Sequence, residues 1–269
     1  MLYVQGMDVF QNVGEVILLP PIIMETQSQH EKEGGIQPHL SVQNITETEY
    51  TDGKGRPLYD GNREKEVSVE VKAMDMVNGV SCISWEVSSE AGFHSELGGS
   101  VLFEEKGEML EPLGWTVEEK REFPQSVSGR IKIPIGSLDC NQIVVFISME
   151  DFSGNQTMEE LCFSVDQSAP MVMVAFDEAV SDAEYQNIYK EERTARISVV
   201  DRNIAINQVQ IEVKNSEGVV PVVGAWDIGI DKESPFHTVA ATNICFDTDG
   251  DYILEVSCSD MAGHRTEVT

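Results

Sequence analysis

Ile143-Val144-Val145-Phe146-Ile147-Ser148-Met149-Glu150-Asp151-Phe152-Ser153-Gly154-Asn155 and Tyr252-Ile253-Leu254-Glu255-Val256-Ser257-Cys258-Ser259-Asp260-Met261-Ala262-Gly263-His264 decide the fold. Aligned on Asp151 and Asp260, residues 143, 145, 147 and 149 match 252, 254, 256 and 258. All of these are apolar or cysteine, so both runs alternate with period two and in the same phase, as half-buried strands do. Each run ends in an Asp-led turn, and a shorter version of the turn phrase occurs at Met7-Asp8-Val9-Phe10-Gln11-Asn12. Self-similarity of this kind marks a repeated structural unit.

The match extends upstream. Val67 to Asp75 resembles Ala195 to Asp201, an alternating strand that ends in Asp. Ile83-Ser84-Trp85-Glu86-Val87 pairs with Val209-Gln210-Ile211-Glu212-Val213, and Gly114-Trp115 with Ala225-Trp226. The stretch from Asp75 to Asp151 is longer than that from Asp201 to Asp260, and the excess falls near 88–114. The expected organisation is therefore 1–22 as terminal strands of a preceding unit, 23–36 as a polar linker, 37–166 as one β-unit with an insertion, and 167–269 as a second whose last strand is cut by the chain end. No long helical periodicity interrupts this pattern.

About seven short strands per unit, with turn residues between them, predict an all-β chain of tandem immunoglobulin-like sandwiches. Trp85 on the third strand is placed to pack between the sheets, and Asp249-Gly250-Asp251-Tyr252 resembles a tyrosine corner. The first unit carries Asn141-Gln142-Ile143 at that point and lacks the corner.

The chain has 269 residues and a net charge of −29. A polyanion of that size repels nucleic acid and anionic membranes, stays soluble as a monomer and attracts cations. The longest apolar run, Val16 to Met24, contains Pro20 and Pro21 and falls short of the ~20 residues needed to span a bilayer. Met1-Leu2-Tyr3-Val4 has no basic start and meets Asp8 early, so no signal peptide is expected within the chain. Cys82, Cys140, Cys162, Cys245 and Cys258 form no Cys-x-x-Cys pair, which argues against zinc and a disulfide framework. The phase of its strand makes Cys258 a reduced core residue and turns Cys245 outward.

The joint Phe163-Ser164-Val165-Asp166-Gln167-Ser168-Ala169-Pro170-Met171-Val172-Met173-Val174, together with Arg193 to Asn203, Trp226, His237, Asp249 to Tyr252 and Asp260-Met261-Ala262-Gly263-His264, resembles the bacterial Ig-like domain repeats of large Gram-positive cell-surface proteins. His264 departs from the Asn that the family carries there. The resemblance is good over 167–269 and looser over 37–166. It implies a secreted or cell-wall-associated, non-catalytic structural and adhesive module, extracellular, with a host or cell-wall protein or glycan as partner. The alternative is an accessory carbohydrate-binding or spacer region of a secreted glycoside hydrolase.

Few residues suggest chemistry. His30, His39, His94, His237 and His264 are scattered, and no nucleophile elbow, zincin helix or phosphate loop occurs. No cofactor is expected, with calcium the one candidate. In such a sandwich the turns after the second and sixth strands share one end, which places Asp201 and Asp260 against the joint, with Asp166 in it and Asp139 facing it. Calcium takes six to eight oxygens, and these carboxylates could supply them. Asp75 and Asp151 would be their counterparts facing residues 1–22. The preferred reading is plainer: Asp opens tight turns by accepting backbone N–H groups, without an ion. Trp115 and Trp226 could serve as stacking platforms for sugars, but a Trp at the same place in each unit is more simply core. The sequons Asn44-Ile45-Thr46 and Asn155-Gln156-Thr157 carry little weight. The insertion at 88–114 is the part the fold needs least, and so the first place to look for a specific contact.

Overall fold

The computed structural model describes residues 2–4, 17–19, 38–105, 108–120, 123–177, 192–216, 218 and 220–269. β1 (Leu2–Val4) and β2 (Ile17–Leu19) form an antiparallel pair. The linker expected at 23–36, with His30, lies outside the described residues. No helix among the described residues is long and apolar enough to cross a membrane.

The next strands are β3 (His39–Asn44), β4 (Tyr50–Thr51), β5 (Pro57–Asp60), β6 (Glu66–Met74), β7 (Val80–Ser89), β8 (Gly92–Phe93), β9 (Gly99–Leu102), β10 (Glu104–Glu105) and β11 (Glu108–Met109). They are followed by β12 (Trp115–Lys120), β13 (Pro124–Pro134), β14 (Cys140–Asp151) and β15 (Gln156–Asp166). One sheet runs β12-β13-β6-β3 and the facing one β4-β5-β15-β14-β7, with β8 and β9 added to β7. β5 lies parallel to β15 and every other pair in these two sheets is antiparallel. This Greek-key order is that of an immunoglobulin-like sandwich.

The same order recurs without the additions. β16 (Met171–Phe176), β17 (Arg193–Asp201), β18 (Gln210–Asn215), β19 (Asp227–Ile230), β20 (Thr238–Phe246), β21 (Tyr252–Ser259) and β22 (Arg265–Val268) form the sheets β16-β17-β20-β19 and β18-β21-β22. The chain is all-β, built from two immunoglobulin-like sandwiches.

Period two determines which side chains enter each core. Ile143, Val145, Ile147 and Met149 of β14 are fully buried, and β6 contributes Val67, Val69 and Val71 from the opposite sheet. Burying each such side chain stabilises the fold by about 1.5–3 kcal/mol. The second core is thinner, centred on Ile197, Val213, Ile244 and Val256. Its facing sheet has three strands, so β19 is uncovered and Ile228 and Ile230 are exposed.

Trp85 packs at the core margin and donates its indole N–H to the Leu97 carbonyl at 3.0 Å. The Tyr252 hydroxyl donates to the Thr248 carbonyl at 2.9 Å, the bond that defines a tyrosine corner. In the first sandwich a bulge between Cys140 and Ile143 occupies that place, with Gln142 at φ 58°. All five cysteines are free, Cys258 buried and Cys245 exposed.

The insertion is not dispensable to the fold. β9 extends the sheet through β7, Leu97 is buried, and Phe103 is fully buried with its ring edge-on to Trp115 at 5.7 Å. The segment closes one side of the first core. Its Gly and Glu content conceals this, because two buried side chains carry the packing.

Candidate functional site

The joint between the sandwiches gathers five buried polar residues, Asp60, Asp166, Asp201, Asn203 and Asp260. β15 ends at Asp166, fully buried, and β16 begins after four intervening residues. That short link is fastened along its length. Asp139 accepts the Gln167 N–H at 3.2 Å and the Ser168 hydroxyl at 2.6 Å. The Gln167 carbonyl accepts from the Asn62 amide at 2.9 Å, and the Pro170 carbonyl accepts from the Thr266 hydroxyl at 2.6 Å.

The second sandwich presents two Asp-led turns to this link. After β17, Asp201 accepts the Asn203 N–H at 2.6 Å, the usual way Asp opens a turn. After β21, Asp260 Oδ1 accepts the Ala262 and His264 N–H groups at 2.8 and 2.9 Å. The two turns are tied together by the Met261 N–H, which donates to the Asn203 carbonyl at 2.9 Å.

Several bonds cross from one sandwich to the other. Asn203 Nδ2 donates to Asp166 Oδ2 at 2.6 Å, and Asn141 Nδ2 donates to Asn203 Oδ1 at 2.9 Å. Arg202 pairs with Glu90, which also accepts the Asn141 N–H. His264 bridges two carboxylates: Nδ1 is 2.9 Å from Asp260 Oδ2 and Nε2 is 3.0 Å from Asp60 Oδ1. Both ring nitrogens can donate to both acids only in the imidazolium form.

Burial sets the charges. Burial pushes the Asp166 carboxyl up to about 6, and the Asp260 and Asp139 charges add to it against the Asn203 bond. Burial likewise pushes Asp201 up to about 7, with Asp166 the next cause. Asp260 is raised by burial, with His264 opposing. For His264 burial acts against the charged ring, but the bond to Asp60 and the Asp260 charge outweigh it and raise its pKa. Asp60 is lowered, because the bonds from His264 and the Asn62 N–H overcome its own burial.

The far end of the first sandwich has the same turns with neutral partners. Asp75 accepts the Val77 and Asn78 N–H groups, and Asp151 accepts those of Ser153 and Asn155. Asp151 Oδ2 takes the Asn78 and Asn155 amides at 3.0 and 2.8 Å. Asn155 thus holds the place of His264 and reaches its own turn Asp in the same way.

Asp166, Asp201 and Asp260 are brought to one joint, and Asp139 is fastened to the link beside them. Among the described residues, the ligand atoms that lie within 4.8 Å of one another belong to Asp166, Asp260 and His264. Both oxygens of Asp139 and both of Asp260 already accept protein donors. A hard ion needing six to eight oxygens therefore finds these residues largely engaged, with an imidazole among them. Asp60, Asn203 and His264 were not foreseen. The signal available for His264 was its departure from Asn in a turn that otherwise repeats.

Trp115 begins β12 and Trp226 directly precedes β19, equivalent places, and both pack against their cores. A Cβ at Gly129 would stand 2.2 Å from the Trp115 ring, so glycine there lets the indole lie on the strand. Ser89 Oγ is 2.8 Å from His94 Nε2, and Glu96 lies 3.6 Å beyond Nδ1, an order that resembles a triad. Ser89 also accepts the Ala91 N–H, and the group closes its own hairpin. The sequon amides of Asn44 and Asn155 donate to Tyr59 and Asp151.

No family model and no curated protein matches the chain. Among solved structures it is similar to the C-terminal domain of the AgI/II polypeptide BspA of Streptococcus agalactiae, 10% identical with a TM-score of 0.34, over 86% of this chain and 97% of that one.

Proposed function

We propose that this chain is a non-catalytic structural and adhesive module of a secreted or cell-wall-associated bacterial surface protein. Its sandwiches act as a stiff spacer that holds a binding surface away from the cell. The observation that carries this reading is the interlocked joint. A flexible linker between independent domains leaves few contacts across the boundary. Here the link is fastened on both sides, and Asn203, Arg202 and His264 reach across it to Asp166, Glu90 and Asp60. The charge of −29 keeps neighbouring copies apart, as a projecting module requires.

Small-angle scattering of the full chain tests the mechanical part: one rigid arrangement of the two sandwiches should account for the profile. A profile that requires a broad set of inter-sandwich angles overturns it. Protease shaving of intact source cells tests the location, with loss of the protein from the cell surface expected and protection inside the cell the contrary result.

A further inference from the structure

The two sandwiches differ most at one edge. In the first, β9 lies antiparallel on β7 with Val101 opposite Ile83. Val101, Leu97 and Phe103 pack into the core beside Trp115 and Val117 of β12, so the added segment covers the inward side of that strand. The second sandwich has β18 and β19 in the places of β7 and β12. Among the described residues, no strand lies on the open edge of β18.

The register fixes the equivalence. Val87 pairs with Val145, and Val213 pairs with Leu254, the counterpart of Val145 in the repeat. On β19, Ile228 pairs with Ala240, which pairs in turn with Val199, and both of these are fully buried. Ile228 and Ile230 therefore point to the inner side of the sandwich. Val117, in the place of Ile228, is half-buried against the first core. Ile228 and Ile230 are 56% and 71% exposed. The segment between β18 and β19 adds exposed Val220 and Val222.

Clustered apolar side chains that face inward yet stay open to water mark a binding surface. The first sandwich shows the shape of what fits there, a strand. An unpaired edge offers backbone N–H and C=O groups to an extended chain, whose side chains fall alternately over the inner shelf and outside it. In β9, Gly99 and Val101 take the inner positions and Ser100 and Leu102 the outer ones. Around the open edge of the second sandwich the charge is acidic. Glu212 on β18, with Asp227, Asp231 and Glu233 in and after β19, outnumber Lys214 and Lys232, and Lys214 is engaged by Glu255 at 2.6 Å. Such an edge on a chain of net charge −29 attracts a basic strand and repels a second copy of itself.

From this we infer that β18 takes an extended segment of a partner protein as an added antiparallel strand, its apolar side chains over Ile228 and Ile230 and its basic ones outward beside Glu212. This goes beyond the proposed function and needs neither the rigid joint nor a place at the cell surface.

The probe is a capped heptapeptide of alternating lysine and valine, titrated into the full ¹⁵N-labelled chain, with amide hydrogen exchange recorded on the same sample. Saturable shifts centred on Glu212, Val213, Ile228 and Ile230 are expected, with slower exchange at the β18 amides that lack a backbone partner. The same residues arranged in two blocks, and a peptide of alternating glutamate and valine, should bind roughly tenfold more weakly. Ile230→Lys puts a charge on an exposed position and should weaken binding about tenfold. Met158→Lys, equally exposed but on the first sandwich, should leave it unchanged. Equal binding of the block peptide would show charge attraction only and overturn the proposal, as would shifts elsewhere or none. Unpartnered β18 amides already protected in the free monomer would mean that the chain covers this edge itself. A dimer in sedimentation that Ile230→Lys dissolves would give the edge to a second copy. Either result overturns the proposal.

Discussion

His264 Nε2 lies 3.0 Å from Asp60 Oδ1, although the two residues are 204 positions apart and belong to different sandwiches. The ring is aimed by its other nitrogen, which Asp260 holds at 2.9 Å within the same turn. One turn residue thereby becomes a latch: Asp260 positions the imidazole, and the imidazole meets the buried carboxylate at the end of β5.

His264→Asn should open that latch while sparing the turn. The first sandwich already has this version, Asn155 donating to Asp151. The shorter amide withdraws the imidazole from Asp60, which keeps the Asn62 N–H and Arg63, a loss of about 1–3 kcal/mol at the joint. Calorimetry should show a lower melting temperature, and scattering a wider range of inter-sandwich angles, with both sandwiches still folded.

The folded chain should become more stable as pH falls from 8 toward 5. Asp166 and Asp201 titrate at about 6 and about 7 in the folded chain and near 3.8 in the unfolded one. The folded state therefore binds more protons, and the stability these groups contribute is lost as pH rises through those values. Asp260 and His264 are raised too and act in the same direction, His264 above its ordinary 6.5. Asp60, lowered, acts in the opposite sense and destabilises the folded chain only as pH falls below 3.8. Thermal melts across this range should show the slope, and Asp201→Asn should flatten it between about pH 4 and 7.

Added calcium should leave the melting temperature where EDTA leaves it. The oxygens of Asp139 and Asp260 accept protein donors, and His264 already offsets part of the charge. A rise in melting temperature that saturates with calcium would instead show that an ion displaces these donors.

Phe103→Ala should destabilise the first sandwich by about 3–5 kcal/mol, since it empties a fully buried aromatic site against Trp115. Deletion of 90–112 should go further and prevent that sandwich from folding. Chemical denaturation followed by circular dichroism reads both.

Trp115 and Trp226 should ignore oligosaccharides. Both pack on their cores, and Trp115 is bounded by Phe103 and Gly129. Fluorescence emission unchanged in wavelength and intensity on adding sugar is the expected result, and a saturable shift would make either ring a platform.

Much of the fold was legible because its signal is local. Alternation in Ile143 to Met149 and in Tyr252 to Cys258 assigns strands and inward faces directly, as the side-chain period of a strand is two residues. The tyrosine corner was legible for the same reason, since Tyr252 bonds to Thr248 within one turn. The insertion was misjudged: Phe103 and Leu97 are isolated apolar residues in a polar stretch, and no periodicity announces that they close a core.

The sequence by itself determined the strands, their phase, the doubling of the sandwich and the Asp-led turns, all set by neighbours a few residues apart. Tertiary structure alone decided what those aspartates do. Asp75 and Asp201 open similar turns, yet Asp201 is pressed against Asp166 and its carboxyl rises to about 7. Carboxylate charge depends on burial and on what else is buried beside it, and docking brings Asp60, Asp166, Asn203 and His264 together from four separate segments. No spacing along the chain encodes that meeting.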